Sequence, residues 1–451
     1  MAELIQNAVA SAGDVDIREC VIISQPTGAE YDLRTGYIGE INIYEDMYRG
    51  GLYGNLLVLD ANNLFSVIGL TGDEYLRLNI VTPSMDKSAI RKTFKVYSIT
   101  DKMMISDTGK QSYILHFCSP EIFIDSMSPI YRTFKKAKSH KIVEQIFEKF
   151  LATSRNGGSE FTPLVIIGEA SNEIQFTSPG WRPGKCINWL ATKSLPAQYS
   201  NPNYMFYESN KAFYFTNIEA LLDIAKSSKQ IYQEYVYVPA NRQPAGEEGA
   251  FVKDVDADYR KIQEMHVVTG YNALKNTQTG YLANRLYTFD VVTKNRGISD
   301  YNHFEQYSNF IHLQDIDGTS IPPFKLGIPT EAAGYNQFYP QHDQLYAGVK
   351  QNAGDIIDKI LPIRTSTAIE LTNLKIEITV PGRTDAEVGN IIYFHYPDAS
   401  PRDGTDKNLS NDDVLYSGYY LITAIRHKIN GLKHIMIMEI VKDSSRDIKK
   451  T

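Results

Sequence analysis

A chain of 451 residues with 43% hydrophobic and 22% charged residues can bury more than one core, which sets it apart from disordered proteins. Its formal net charge of −7 speaks against a phosphate-gripping surface, because nucleic-acid affinity comes chiefly from clustered Lys and Arg. No run approaches the roughly 18 to 20 apolar residues of a membrane helix, and the first residues lack the basic start and apolar run of a secretion signal, so a soluble chain made in the cytoplasm with no membrane partner is expected.

From about 19 to 123, short runs rich in Ile, Val, Leu and Tyr alternate with turn residues, the spacing of an antiparallel barrel or sandwich. Strands are expected near 20–24, 37–44, 54–60, 74–80, 93–99 and 113–118, with a hairpin turn at Asp107-Thr108-Gly109-Lys110. After Ser128-Pro129 the period changes. Ser139 is positioned to cap a helix whose face is Ile142, Val143, Ile146, Phe147, Phe150 and Leu151, and a second helix is expected from Pro183 to Lys193. Strands resume at 204–208 and 212–216. The stretch 223–363 is the least legible, with one good strand at 286–293. Strict alternation in Leu374-Lys375-Ile376-Glu377-Ile378-Thr379-Val380 predicts a strand with one buried face, followed by strands at 391–396, 418–427 and 433–441, the last two joined by the hairpin signal Asn430-Gly431. The expected fold class is mainly β (α+β): a first β-barrel over 1–126, a helical connecting domain over 127–203, a second β-barrel from 204–222 and 364–451, and an inserted loop-rich domain over 223–363.

Motifs for chemistry are weak. Gly180-Trp181-Arg182-Pro183-Gly184-Lys185 has one spacer residue too few for a phosphate loop, Cys186 stands where Ser or Thr is needed, and Pro183 removes an N–H, so a turn opening a helix is the better reading. Cys20, Cys118 and Cys186 are far apart and odd in number, which disfavours disulfides and a cysteine zinc site. His427 and His434 flank Asn430-Gly431 and can face each other, but two ligands do not make a metal site. The acidic pairs Glu45-Asp46, Glu247-Glu248 and Asp412-Asp413 sit in turn-like contexts, where carboxylates cap backbone N–H groups more often than they hydrolyse sugars. No catalytic residue, cofactor or metal is expected.

Three groups of segments go further. The first is Ile43-Tyr44-Glu45-Asp46, Gly54-Asn55-Leu56-Leu57-Val58-Leu59-Asp60, and Gly72-Asp73-Glu74-Tyr75-Leu76-Arg77-Leu78 with Thr82-Pro83. The second, and most specific, is Trp181-Arg182-Pro183, Ile187-Asn188-Trp189-Leu190, Asn203-Tyr204-Met205-Phe206-Tyr207-Glu208 and Phe213-Tyr214-Phe215. The third is Val380-Pro381-Gly382-Arg383-Thr384-Asp385, Val388-Gly389, Asp412-Asp413, Leu415-Tyr416-Ser417-Gly418-Tyr419-Tyr420, Ala424-Ile425-Arg426-His427 and Lys442-Asp443. Together these segments resemble the central baseplate hub family of T4-like contractile-tailed bacteriophages, over about two thirds of the chain.

The resemblance implies a non-enzymatic virion protein: a homotrimer in which each subunit gives two similar barrels to a pseudo-sixfold ring. The ring joins the tail tube to the central spike, sits among baseplate wedge proteins, and lets phage DNA pass without specific binding. Beside this stand two alternatives, a tail-associated cell-wall or surface-sugar hydrolase and the hub module of another contractile injection system. The residues themselves suggest an aromatic seam between helical piece and second barrel (Trp181, Ile187, Asn188, Trp189, Tyr204, Phe206). Barrel-closing turns are expected at Gly54, Gly72, Pro381, Gly382, Gly389, Ser417, Gly418, Asn430 and Gly431. An interface strand is expected to present Ile391, Tyr393 and His395 outwards, because open β edges must be paired or covered.

Overall fold

The computed structural model describes residues 11–25, 27–83, 85, 88–105, 110–152, 162–238, 254–291, 293–318, 320–323, 335–341, 357–398 and 412–446. Among the described residues the chain is mainly β with helices, an α+β fold dominated by a 14-stranded sheet.

The first β region follows from alternation. In Tyr75–Val81, Leu76, Leu78 and Ile80 are 0% exposed while Tyr75, Arg77 and Asn79 point the other way. Its seven strands lie in the order Glu30–Asp32, Asp16–Ile23, Tyr75–Val81, Ile90–Met104, Gln111–Cys118, Tyr53–Asp60, Ile38–Asp46, every neighbour antiparallel. They enclose one core built on Ile22, Ile43, Leu56, Leu76, Phe94 and Phe117.

The second β region runs Lys261–Ile262, Gln233–Tyr237, Ile391–His395, Gly418–Asn430, Lys433–Lys442, Leu374–Pro381, Glu264–Thr269. Here Gln233–Tyr237 is parallel to both of its neighbours. The segment 261–269 pairs with Gln233–Tyr237 at its start and with Leu374–Pro381 further on, so it touches both sides of the region. A separate core fills it, including Tyr235, Ile376, Ile378, Phe394, Tyr420, Ile440 and Leu222.

Between them lies the helical piece. Ile130–Lys138 pairs with Glu173–Trp181, helices Ser139–Ile146 and Pro183–Lys193 pack together, and Tyr204–Glu208, Phe213–Asn217 and Leu164–Ile167 form a three-stranded sheet over a third core. A further sheet, Arg296–Asn302, Ala283–Asp290 and Tyr335–Gln341, rests on helix Ile357–Leu371. Among the described residues no helix is long and apolar enough to cross a membrane.

The structure departs from the expected segmentation at several points. Strands Gln233–Tyr237 and Glu264–Thr269 lie in the main sheet although the stretch 223–363 reads as loops, because their partners, one parallel and one antiparallel, lie more than 100 residues along the chain and such pairing leaves no hairpin signal. Tyr204–Glu208 and Phe213–Asn217 pair outside that sheet, with Leu164–Ile167. A boundary at 363/364 falls inside helix Ile357–Leu371, whose internal Pro362 mimics a break. Ser139 does not cap its helix: it is fully buried, and its hydroxyl meets that of Ser194 at 2.6 Å, tying the two helices together. The turn 107–109 and the pair Glu247-Glu248 lie outside the described residues.

Candidate functional site

The two β regions share one strand. Gly418–Asn430 is 13 residues long, and along one edge its first residues pair with Ile391–His395 while Ala424 to Ile429 pair with Ile38–Asp46. Its other edge pairs from Leu421 to Asn430 with Lys433–Lys442, with a register shift between Ile422 and Ala424 where the partner changes. Such an irregularity bends a strand, which lets one sheet serve two cores.

A turn at 209–211 is wedged against this seam. The Asn210 N–H donates to Glu45 Oε1 at 3.1 Å, and the Val388 N–H donates to Glu45 Oε2 at 3.2 Å, so one carboxylate of the first region holds both the turn and the second region. Glu45 is 1% exposed at the end of a strand, and is no turn residue. Glu208, also 1% exposed, accepts from Lys92 Nζ at 2.5 Å, Ser119 Oγ at 2.5 Å and the Leu52 N–H at 3.0 Å. Glu387 takes the Ser209 hydroxyl at 2.8 Å and Lys211 Nζ at 2.6 Å. Charge-assisted bonds of this kind are about twice as strong as neutral ones. Burial and then the Glu208 charge push the nearby Glu121 carboxyl up to about 7.

Two further pairs cross or brace the seam. Thr82 and Thr384 exchange backbone-to-hydroxyl bonds at 3.1 and 3.0 Å. His427 Nδ1 and His434 Nε2 face each other at 3.1 Å, both rings buried, with Glu45 Oε1 3.7 Å from His427 Nε2. Burial and the His427 charge hold His434 well below the usual histidine range. Gly382 is required beside it, since a Cβ there meets the His434 ring at 2.1 Å.

Strand Tyr204–Glu208 has two faces. Tyr204 and Phe206 enter the helical core, while Tyr207 enters the core of the second β region, with Met205 packed against it. Ile187 is 0% exposed in the helical core; Trp181 and Trp189 are half-buried, 6.0 Å apart, with Trp189 on Phe176 at 4.9 Å rather than on the strand; Asn188 is exposed. Gly72, Gly389 and Gly431 adopt positive φ at bends or turns, Gly418 does so as the first residue of its strand, and Asn430 closes that strand. Ser417 Oγ accepts from the Tyr396 N–H at 2.9 Å. Pro381 ends its strand, but Gly54 lies inside one, where a Cβ meets the Phe117 ring at 2.3 Å. Ile391 and Tyr393 are 5% and 7% exposed, both edges of their strand are paired, and Arg446 lies over the Tyr393 ring, so the chain itself covers these two. His395 is partly exposed and bonded to Asp412.

One arrangement had no sequence signal. Ser366 Oγ lies 3.1 Å from His303 Nδ1, and His303 Nε2 lies 2.9 Å from Glu370 Oε1, the order of a hydrolytic triad. Ser366 and His303 are 0% exposed and Glu370 3%, and the serine hydroxyl donates to the Tyr281 carbonyl at 2.5 Å. A sealed nucleophile whose proton is already committed braces helix Ile357–Leu371 instead of attacking a substrate. In the segment 180–185, the Gly184 N–H donates to Asp125 Oδ1 at 2.6 Å, so the chain's own carboxylate fills the place of a phosphate. Among the described residues no group of three or more His, Cys, Asp or Glu is placed to hold a metal. The three cysteines are buried and free, and burial lifts the Cys20 thiol to about 12.

No protein-family model and no curated protein matches the chain. Among solved structures, a tail protein from Neisseria meningitidis superposes with a TM-score of 0.51 at 9% identity, covering 95% of this chain and 96% of that one. A 43 kDa tail protein of a Shewanella oneidensis prophage gives 0.48 at 10% identity over 94% and 98%, and the half-lidded Francisella PdpA-VgrG complex 0.45 at 10% over 100% and 62%. Over nearly its whole length the chain shares its fold with the Neisseria meningitidis tail protein, in line with the resemblance in its sequence.

Proposed function

We propose that the chain is the structural hub of a contractile phage tail baseplate, acting without catalysis. Three copies close into a pseudo-sixfold ring that joins the tail tube to the central spike, contacts the wedge proteins and surrounds the DNA channel. The observation that carries this reading is the duplication: two seven-stranded β regions, each with its own core, joined edge to edge through Gly418–Asn430. Two barrels per chain are supported by segment 261–269, which touches both sides of the second region, and by the bridge from Asp14 to Lys433, which brings the end of the last hairpin to the entry of the first region. The tail-protein fold supports the placement in a virion tail. Closed rotational assembly needs only one heterologous contact repeated until it returns to its start. The test is molar mass in solution, by light scattering, with and without the neighbouring spike protein: three chains per particle are expected, and a monomer or an even-numbered ring under both conditions overturns the reading.

A further inference from the structure

Cross-strand register traces one row of side chains over six strands from both β regions: Tyr53, Tyr44, Arg426, Ile437, Thr379 and Glu264. Alternate residues of these strands, such as Ile43, Ile425, Met438 and Ile378, enter the two cores. The row therefore lies on the opposite face, and that face is continuous across the seam.

The charges on this open face cancel in pairs. Arg426 and Lys428, from the second region, both reach Glu40 of the first, at 3.7 and 3.3 Å, with Arg426 Nε also donating to Asn42 Oδ1 at 2.9 Å. Lys375 reaches Glu439 at 2.9 Å, and Arg49, beside the same strands, reaches Asp46 at 3.4 Å. Glu377 and Glu264 are exposed in addition. The side chains of Glu40, Arg426 and Lys428 are 23%, 37% and 36% exposed, so the pairs are open to solvent and worth little as stability. Their effect is on what the surface offers: a polyanion is held by cations whose counterions it can replace, and a cation already facing a carboxylate is a poor phosphate site.

We propose that this face is turned to the channel, and that Glu40 occupies Arg426 and Lys428 so that double-stranded DNA passes the seam without being held. The proposal rests on the ring reading and names its inner surface. In a ring of three chains, Glu40→Gln frees about six cations on one inner wall, enough to raise duplex affinity at low salt at least about tenfold with a steep salt dependence.

The experiment uses the assembled full-length chain and a fluorescent DNA duplex, titrated from low to high salt. Rings of Glu40→Gln are expected to bind the duplex, and adding Arg426→Gln and Lys428→Gln is expected to abolish that binding. Glu144→Gln, which frees the helix residue Lys141 elsewhere, is expected to behave as the parent. If Glu40→Gln does not assemble, Glu439→Gln, which frees Lys375, takes its place with a smaller gain. Normal rings whose Glu40→Gln and Glu439→Gln variants bind DNA no better than Glu144→Gln overturn the proposal and leave the ring standing, as for a face that seats a protein instead. A parent chain that forms no ring overturns both.

Discussion

The two β regions reach similar strand counts by different routes. In the first, neighbours in space are mostly joined by short connections, as Ile90–Met104 is to Gln111–Cys118. The second is gathered from segments at 233–237, 261–269, 374–381, 391–395 and 418–442, and is tied to the first by bonds such as Thr82 to Thr384, 302 residues apart. Local hairpins announce themselves through turn residues and cost little loop entropy, whereas distant pairings leave no local mark and form late. The seam carboxylates couple an autonomous-looking half to one that needs the whole chain.

The sharpest way to break that coupling is Glu208→Gln, which removes the buried charge facing Lys92 and leaves one acceptor oxygen where Lys92, Ser119 and the Leu52 N–H share two. Removing one member of a buried pair costs about 3 to 5 kcal/mol, read by chemical denaturation, and the first region should then unfold in its own transition. A single transition at the parent midpoint would show that the turn 209–211 does not couple the regions. Glu121→Gln probes the same junction through pH. The carboxyl is near 7 in the folded chain against 4.5 as reference, so the folded state holds the proton longer. Its cost is absent below about pH 4.5, grows between about 4.5 and 7 because the unfolded chain ionises first, and stays at its full value above 7. The variant should gain about 2 kcal/mol at pH 8 and nothing at pH 4, and an equal change at both would refute the assignment.

Next in size, Gly382→Ala forces a methyl into the His434 ring and should cost about 1 to 3 kcal/mol by thermal or chemical melting; a neutral result would show that the His427–His434 hairpin gives way freely. The smallest effect expected is from Trp189→Ala. Full burial would make it worth about 3 to 5 kcal/mol, but the ring is half-buried on Phe176 and Trp181, so about 1 to 2 kcal/mol is the outcome to check.

What the sequence made legible follows the same division. Alternation placed Tyr53–Asp60 and Leu374–Pro381 to within a residue, and Asn430-Gly431 set a register that brings His427 to His434. Helix Pro183–Lys193 was readable because Pro183 marks its first turn. Gln233–Tyr237 was not, because five residues with a parallel partner more than 150 positions away have no punctuation of their own. Ser366, His303 and Glu370 carry no motif, since their meeting depends on a helix packing over a sheet. Glu45 was misplaced in a turn because a buried acid at a strand end looks, in sequence, like a solvated one.

The shared strand also sets a timetable. Arg426 and the Asn42 it contacts are 384 residues apart, so at roughly 5 to 20 residues per second the free edge of Ile38–Asp46 waits about 20 to 80 seconds on the ribosome before Gly418–Asn430 emerges to cover it. An uncovered edge of that kind is a template for wrong partners, including the same edge on a neighbouring nascent chain. Slowing translation late in the message, or truncating ahead of residue 418, should therefore lower the soluble yield of the first region, even though its own seven strands are complete hundreds of residues earlier.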